Sequence, residues 1–452
     1  MNAPGTEPTP PIDPKRHTRR ALLQGTFAAG AAATAGLGSG CRSAQTGPEG
    51  GDSAAQDERG ALKELFAHLS DQRSSVEPIS SAERAARRAR LAGVMDRAGV
   101  DALVMEAGAT MTYLSGIRWG HSERLFALVV LASGKHFWVC PAFEAERARL
   151  SIEAEDGPGG EILTWQEHEY PFEPLASALR EHGAVRLGVE PSLRQRFVAG
   201  MQAAHGPENV GTALDVVVEL RGRKDEHEQA LLRRANELTQ QAIVAANEHV
   251  REGMTRTQVA ALMRTAQQTL GLESVWTLAL VGPASAYPHG GAHQPPLERG
   301  DVILVDTGGS LHGYQSDNTR SWIFDAPVPA RVEEVWNVVR DAQKLAFEAI
   351  RPGRPCRDID RVARARIGAG GFGSGYETFT HRLGHGIGLE GHEDPYFDGG
   401  SDVILAPGMT LSNEPGIYLY GEFGIRIEDI VVVTASGADH YGTWQRSPAS
   451  PV

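Results

Sequence analysis

GDVILVDTGGSLHGYQSDNTR, residues 300–320, is the stretch around which the rest of the chain is organised. Val302, Ile303, Leu304 and Val305 form an apolar, β-branched run between turn residues, which predicts a buried strand. Asp306 is expected at its end, with Gly308 and Gly309 turning the backbone sharply. Asp317 follows eleven residues later and opens a second strand-like run, Thr319 to Phe324. A hairpin joining the two runs brings both carboxylates to one mouth. Two carboxylates at an apolar mouth repel each other, so something positive belongs between them, and a metal ion is the natural candidate.

Three later segments hold polar groups in similar settings. They are Thr380 to Gly388 (THRLGHGIG) running on to His392-Glu393-Asp394-Pro395, Leu411 to Tyr418 (LSNEPGIY), and Ile425 to Asp429 (IRIED) before the apolar run Ile430 to Val433. A lone His in a glycine-rich turn is usually structural, and a Glu before Pro-Gly is usually a turn residue. Glu428 is harder to dismiss, because a buried carboxylate without a partner costs several kcal/mol. Strand alternation puts Arg426 on its face, so an Arg426–Glu428 ion pair is the plain structural alternative.

At 452 residues the chain exceeds one ordinary core, so two domains are expected. A formal net charge of −13 argues against nucleic acid as a partner, which needs a basic stripe. Thr18-Arg19-Arg20-Ala21-Leu22-Leu23, followed by an Ala/Gly-rich stretch to Gly40, matches a twin-arginine export signal. The alternatives are a disordered basic tail or a membrane anchor, for which the stretch is short of strongly apolar residues. Cleavage after Ala33-Thr34-Ala35 and lipidation of Cys41 behind Leu37-Gly38-Ser39-Gly40 both remain open, and the destination is the periplasm or cell envelope. Residues 42–60 read as a flexible linker. Cys41, Cys140 and Cys356 lie too far apart in sequence for a disulfide framework.

Residues 61–222 alternate helix and strand patterns: a helix over Ser81 to Ala98, strands near Ala102, Leu125, Phe137 and Leu187, and helices over Phe143 to Ile152 and Pro174 to His182. No phosphate loop occurs there. The loop Gly116 to Arg124 (GIRWGHSER) is either a surface turn or a substrate contact. The charged run Arg221 to Glu228 marks the boundary to residues 223–452. Helices are expected from Asp225 to about Arg251, from Thr255 or Thr257 to about Leu270, and from Arg331 to Ile350. The repeated two-helix, strand-hairpin layout allows an old duplication.

Taken together, Asp306, Asp317, His385, Glu414 and Glu428 stand in the order Asp-Asp-His-Glu-Glu, inside VDTGG, SDNTR, GHGIG, NEPGIY and IRIED. Over residues from about 224 to 440 this set resembles the Xaa-Pro peptidases, the prolidases and aminopeptidases P of the pita-bread metallopeptidase fold. The first domain resembles that family in size and α/β pattern only. The resemblance implies an α/β N-terminal domain followed by an α+β pita-bread catalytic domain, likewise in order. It implies two divalent ions, with Asp317, His385 and Glu414 on one, Asp306 on the other, and Asp317 and Glu428 bridging. Two ions about 4 Å apart share a hydroxide and lower its pKa toward 7. The carboxylate-rich set favours manganese, with cobalt or zinc as alternatives.

The same resemblance makes His289 and His392 contacts to the scissile peptide and its oxyanion, and Glu414 the proton shuttle. It places His381 on the proline-side pocket, has Arg426 orient carboxylates, and leaves His293 a bystander. Gly290 stands where many relatives carry a second His, which bears on substrate fit. The implied substrates are small proline-containing peptides, whose imide nitrogen ordinary peptidases handle badly. A homodimer or tetramer is implied, through which Trp119 or His121 would reach a partner's site. The competing readings are a metal-free, creatinase-like hydrolase and a silent binding module. Such relatives lose ligands, whereas here the set is intact. The large first domain speaks against a methionine aminopeptidase.

Overall fold

The protein is described by a computed structural model covering residues 60–154, 156–292 and 294–452. The export segment, Cys41, the linker up to residue 59 and His293 lie outside the described residues. Among the described residues no helix is long and apolar enough to cross a membrane.

The helix Ser81–Ala98 begins and ends on local chemistry. The Ser80 hydroxyl accepts from the Glu83 amide while the Glu83 carboxylate accepts from the Ser80 amide, and Gly99 closes the helix at a φ of 67°. Behind it lie β1 (Ala102–Glu106), β2 (Ala127–Leu131), β3 (His136–Pro141), β4 (Glu161–Trp165), β5 (Leu187–Val189) and β6 (Val210–Thr212). They form one sheet in the order β4-β3-β2-β1-β5-β6. Every residue of β1 and β2 is buried, because both faces of the sheet are covered, so these strands read as continuous apolar runs. The loop Gly116 to Arg124 is more than a surface turn. Trp119 stacks on Phe126 with ring centroids 4.1 Å apart, and the Arg147 guanidinium covers it at 4.0 Å.

The helix Leu214–Arg221 ends this part, and Asp225 caps the next helix, Glu226–Asn247, by the same reciprocal bonds with Glu228. Thr255 and Gln258 cap Arg256–Thr269 likewise. This helix pair packs on β7 (Glu273–Val281) and β8 (Val302–Leu311), with β9 (Tyr314–Gln315) and β10 (Asn318–Ile323) completing the sheet. Helices Ala330–Ala349 and Cys356–Ala369 then cover a second sheet. It contains β11 (Gly384–Gly386), β12 (Glu393–Phe397), β13 (Thr410–Asn413), β16 (Asp429–Val433) and β17 (Ala438–His440), in the order β12-β11-β13-β16-β17. The hairpin of β14 (Gly416–Tyr418) and β15 (Gly424–Arg426) stands beside it.

One expectation is corrected. Asp306 is not at the end of a strand, and Gly308 and Gly309 do not turn the chain: β8 runs straight through all three to Leu311. The turn comes at His312 and Gly313, with φ of 52° and 95°. The two glycines serve close approach instead. A Cβ on Gly308 would stand 1.9 Å from the Ser316 carbonyl oxygen, and one on Gly309 3.1 Å from the Leu272 Cβ.

Candidate metal centre

β8 pairs with β10 so that Asp306 lies opposite Thr319, which sets Asp317 just ahead of β10 near the same mouth. The other sheet delivers the rest: His385 in the middle of β11, Glu414 just after β13, and Glu428 between β15 and β16. All five line one cavity of about 390 Å³, together with His289, His381, His392, Arg426 and Arg382. Trp276, Leu278 and Pro288 supply its apolar wall.

The donor atoms gather around the His385 ring. His385 Nδ1 lies 3.1 Å from the Gly386 carbonyl oxygen, so Nδ1 carries the hydrogen and Nε2 presents its lone pair. That lone pair faces Asp317 Oδ2 at 3.6 Å, Glu414 Oε1 at 3.4 Å and Glu428 Oε1 at 3.9 Å. Burial, with His392 beside it, pulls the imidazole pKa down to about 3, so the ring is neutral at neutral pH. Asp306 Oδ1, Asp317 Oδ1 and Glu428 Oε1 are buried with no hydrogen-bond partner. Four acceptors around shared empty volume and three orphaned carboxylate oxygens are what a cation site requires. The residues present therefore fit divalent metal.

Two donor groups have all their ligand atoms within 4.8 Å of one another: His385 with Glu414 and Glu428, and Asp306 with Asp317 and Glu428. Glu428 belongs to both. A third group joins Asp317 and His385 to His392, a donor role the sequence reading did not assign to His392. Its ring lies 3.8 Å from that of His385, centroid to centroid. Burial, and then repulsion from the neighbouring carboxylates, pushes the Asp317 and Glu428 pKa values well above the ordinary range. Burial and Asp306 push Glu414 up to about 7 against the pull of Arg426.

Arg426 does not pair with Glu428. Its Nη2 donates to Asp306 Oδ2 at 2.7 Å, Nη1 to the Tyr418 hydroxyl at 2.8 Å, and Nε to Thr319 Oγ1 at 3.1 Å. Glu428 Oε2 instead accepts from that Thr319 hydroxyl at 2.7 Å. Tyr418, Thr319, Ser412 and Arg320 stand in the same motifs, and their parts emerge only in the fold. Tyr418 links Arg426 to His381 Nε2 at 2.8 Å. Ser412 donates to Glu414 Oε1 at 3.0 Å, and Arg320 holds the Glu428 carbonyl at 2.7 Å. His289 stands exposed at the rim.

Residues 230–435 match metallopeptidase family M24, and residues 87–222 match the creatinase/prolidase N-terminal domain. The chain is 38% identical over 360 residues to the probable dipeptidase PepE of Mycobacterium tuberculosis, covering 79% of this chain and 94% of that one. The chain belongs to metallopeptidase family M24. Its two-part architecture agrees with solved M24 relatives. The dipeptidase PepE from Mycobacterium ulcerans superposes with a TM-score of 0.75 at 32% identity, over 82% of this chain and 98% of that one. The Xaa-Pro dipeptidase from Bacillus anthracis gives 0.69 at 27% identity, over 81% and 99%. The first domain is thus related to this family in sequence as well as in pattern. Family M24 enzymes are peptidases that use divalent metals, and peptide hydrolysis is the activity that membership carries to this chain.

Proposed function

We propose that this M24 peptidase hydrolyses the X-Pro bond of dipeptides and other short peptides, using two divalent ions held by Asp306, Asp317, His385, Glu414 and Glu428. The observation that carries the reading is the neutral His385 Nε2 facing three carboxylate oxygens, with Glu428 common to two donor groups. When bound, the ions supply Lewis acidity and acidify a water. Everything else falls to the chain. Glu414 takes the proton of the attacking water and returns it to the leaving nitrogen. His289 and His392, at the open side, donate to the oxygen on which charge develops.

The proline side is built by a relay. Arg426 donates to Tyr418, Tyr418 donates to His381 Nε2, and His381 Nδ1 donates to the Arg382 carbonyl at 2.8 Å. Burial and Arg426 keep His381 down at about 3, so its ring is uncharged in a cavity that Trp276, Leu278 and Pro288 also line. An uncharged wall suits a pyrrolidine ring, which brings no N–H of its own.

Purified protein loaded with Mn²⁺ is expected to cleave Ala-Pro far faster than Ala-Ala, and to lose that activity to a chelator. Equal rates on the two would move specificity away from proline. No cleavage of any dipeptide or of Ala-Pro-Ala with metal bound would remove the reading. Cleavage of Ala-Pro-Ala at its first bond would make the enzyme an aminopeptidase, and sparing it a dipeptidase. We further propose manganese as the native ion, a homodimer or tetramer, and twin-arginine export to the cell envelope. The mass of the mature N-terminus separates cleavage after Ala35 from lipidation of Cys41.

A further inference from the structure

His392 follows the GHGIG segment and precedes Glu393, and among the described residues none holds its ring by a hydrogen bond. Its neighbour is held firmly. Glu393 is buried, and Lys224 Nζ donates to its Oε1 at 2.6 Å. Arg221, the last residue of the final helix of the N-terminal sheet domain, donates to the other carboxylate oxygen. The same guanidinium donates to Glu390 Oε2 at 2.6 Å and to Thr110 Oγ1 at 3.0 Å. One cation of the first domain therefore grips the segment on both sides of His392.

Glu393 is also packed against the strand of His385. A Cβ on Gly388 would stand 2.6 Å from Glu393 Oε1, and one on Gly386 2.4 Å from the Glu393 carbonyl oxygen. Its register partner in β11 is Gly386, next to His385. A cavity of about 170 Å³ lies between Arg221, Leu214 and Val217 on one side and His392, Glu393 and Tyr396 on the other. With open volume beside it, the segment has room to swing if Arg221 lets go.

We propose that Arg221 is a positioning residue: through Glu393 and Glu390 the first domain sets the place of His392 over the metal centre. The first domain thus contributes to turnover without touching substrate. This rests on the peptidase reading above for its kinetic readout, but not for its structural one.

The test compares wild type with Arg221→Gln, Arg221→Lys and Glu390→Gln, alone and combined with His392→Ala, all in the full metal-loaded protein. Arg221→Gln is expected to lower kcat on Ala-Pro at least ten-fold, with KM within three-fold and metal per chain unchanged. Arg221→Lys should restore part of the loss. In a His392→Ala background the Arg221→Gln change should cost less than two-fold further. Amide exchange across residues 388–394 should rise at least ten-fold in Arg221→Gln, with the helix Glu226–Asn247 unaffected. Should Arg221→Gln not fold, Glu390→Gln, whose carboxylate is partly exposed, is expected to show a smaller loss with the same non-additivity. Additive losses, an unchanged kcat or unchanged exchange at 388–394 would overturn the proposal. A wild type inactive on every peptide would remove the peptidase reading, and amide exchange would still decide whether Arg221 holds the segment.

Discussion

Glu428→Ala is expected to reduce hydrolysis by well over 100-fold and to leave the purified protein with little bound metal. Glu428 stands in two of the three donor groups, the two that between them hold all five residues, so its loss opens both of these at once. Partners that merely support a ligand already cost roughly 10- to 100-fold when removed, and a direct shared ligand should cost more. Asp317→Ala is expected to behave alike, since Asp317 stands in two of the three donor groups. Stability of the metal-free protein should hardly move. In the metal-free fold Glu428 is a buried carboxyl crowded by Glu414 and Asp306, with one oxygen unpartnered. Truncating it relieves that crowding at the cost of one hydrogen bond from Thr319 and a small void. The metal-free variant should therefore melt within a few degrees of metal-free wild type. Activity, metal content and melting temperature measured on the same preparations check this. Full activity or full metal content in Glu428→Ala would sink the proposed centre.

What could be read from the chain and what could not divides along the range of the interaction. Ser80, Asp225 and Thr255 announce their helices because a cap bonds a residue three positions away. That five carboxylate and imidazole residues gather at one cavity is legible because each stands in its own short motif. Gly308 and Gly309 were misread as a turn, since their actual neighbours, Ser316 and Leu272, meet them only once the sheet forms. Arg426 orients a carboxylate as the resemblance implies, but which one could not be read locally: the acceptor is Asp306, 120 residues off, and not Glu428 two positions away. The strands β4 and β6 are hard to read because they are short, partly exposed sheet edges. Glu393 carries no local signal of a role. Its meaning depends on Arg221, 172 residues earlier, in a different sheet domain.

Removing the metal is expected to make stability fall as pH rises, which reverses the usual behaviour of salt-bridged carboxylates. Glu414 ionises at about 7 in the folded metal-free protein against an ordinary value of 4.5. A group whose folded pKa is raised adds stability that is complete below its unfolded pKa and disappears as pH climbs through the folded one. For Glu414 that window runs from about pH 4.5 to above 7, and the change amounts to about 3 kcal/mol. Asp317 and Glu428 are displaced in the same direction, by burial and by one another. The melting temperature of chelator-treated protein should thus drop between pH 5 and pH 8. Metal must displace the protons these groups retain, so Mn²⁺ should bind more tightly as pH rises and release protons on binding. The gain in melting temperature on adding Mn²⁺ should accordingly be larger at pH 8 than at pH 5. Self-repulsion in a chain of formal charge −13 would also weaken the fold at high pH, so the slope alone does not decide. Asp317→Ala does. It removes one of the crowded carboxyls and should flatten the metal-free slope, whereas a slope unchanged in that variant would assign the effect to global charge and withdraw the carboxylate cluster as its cause.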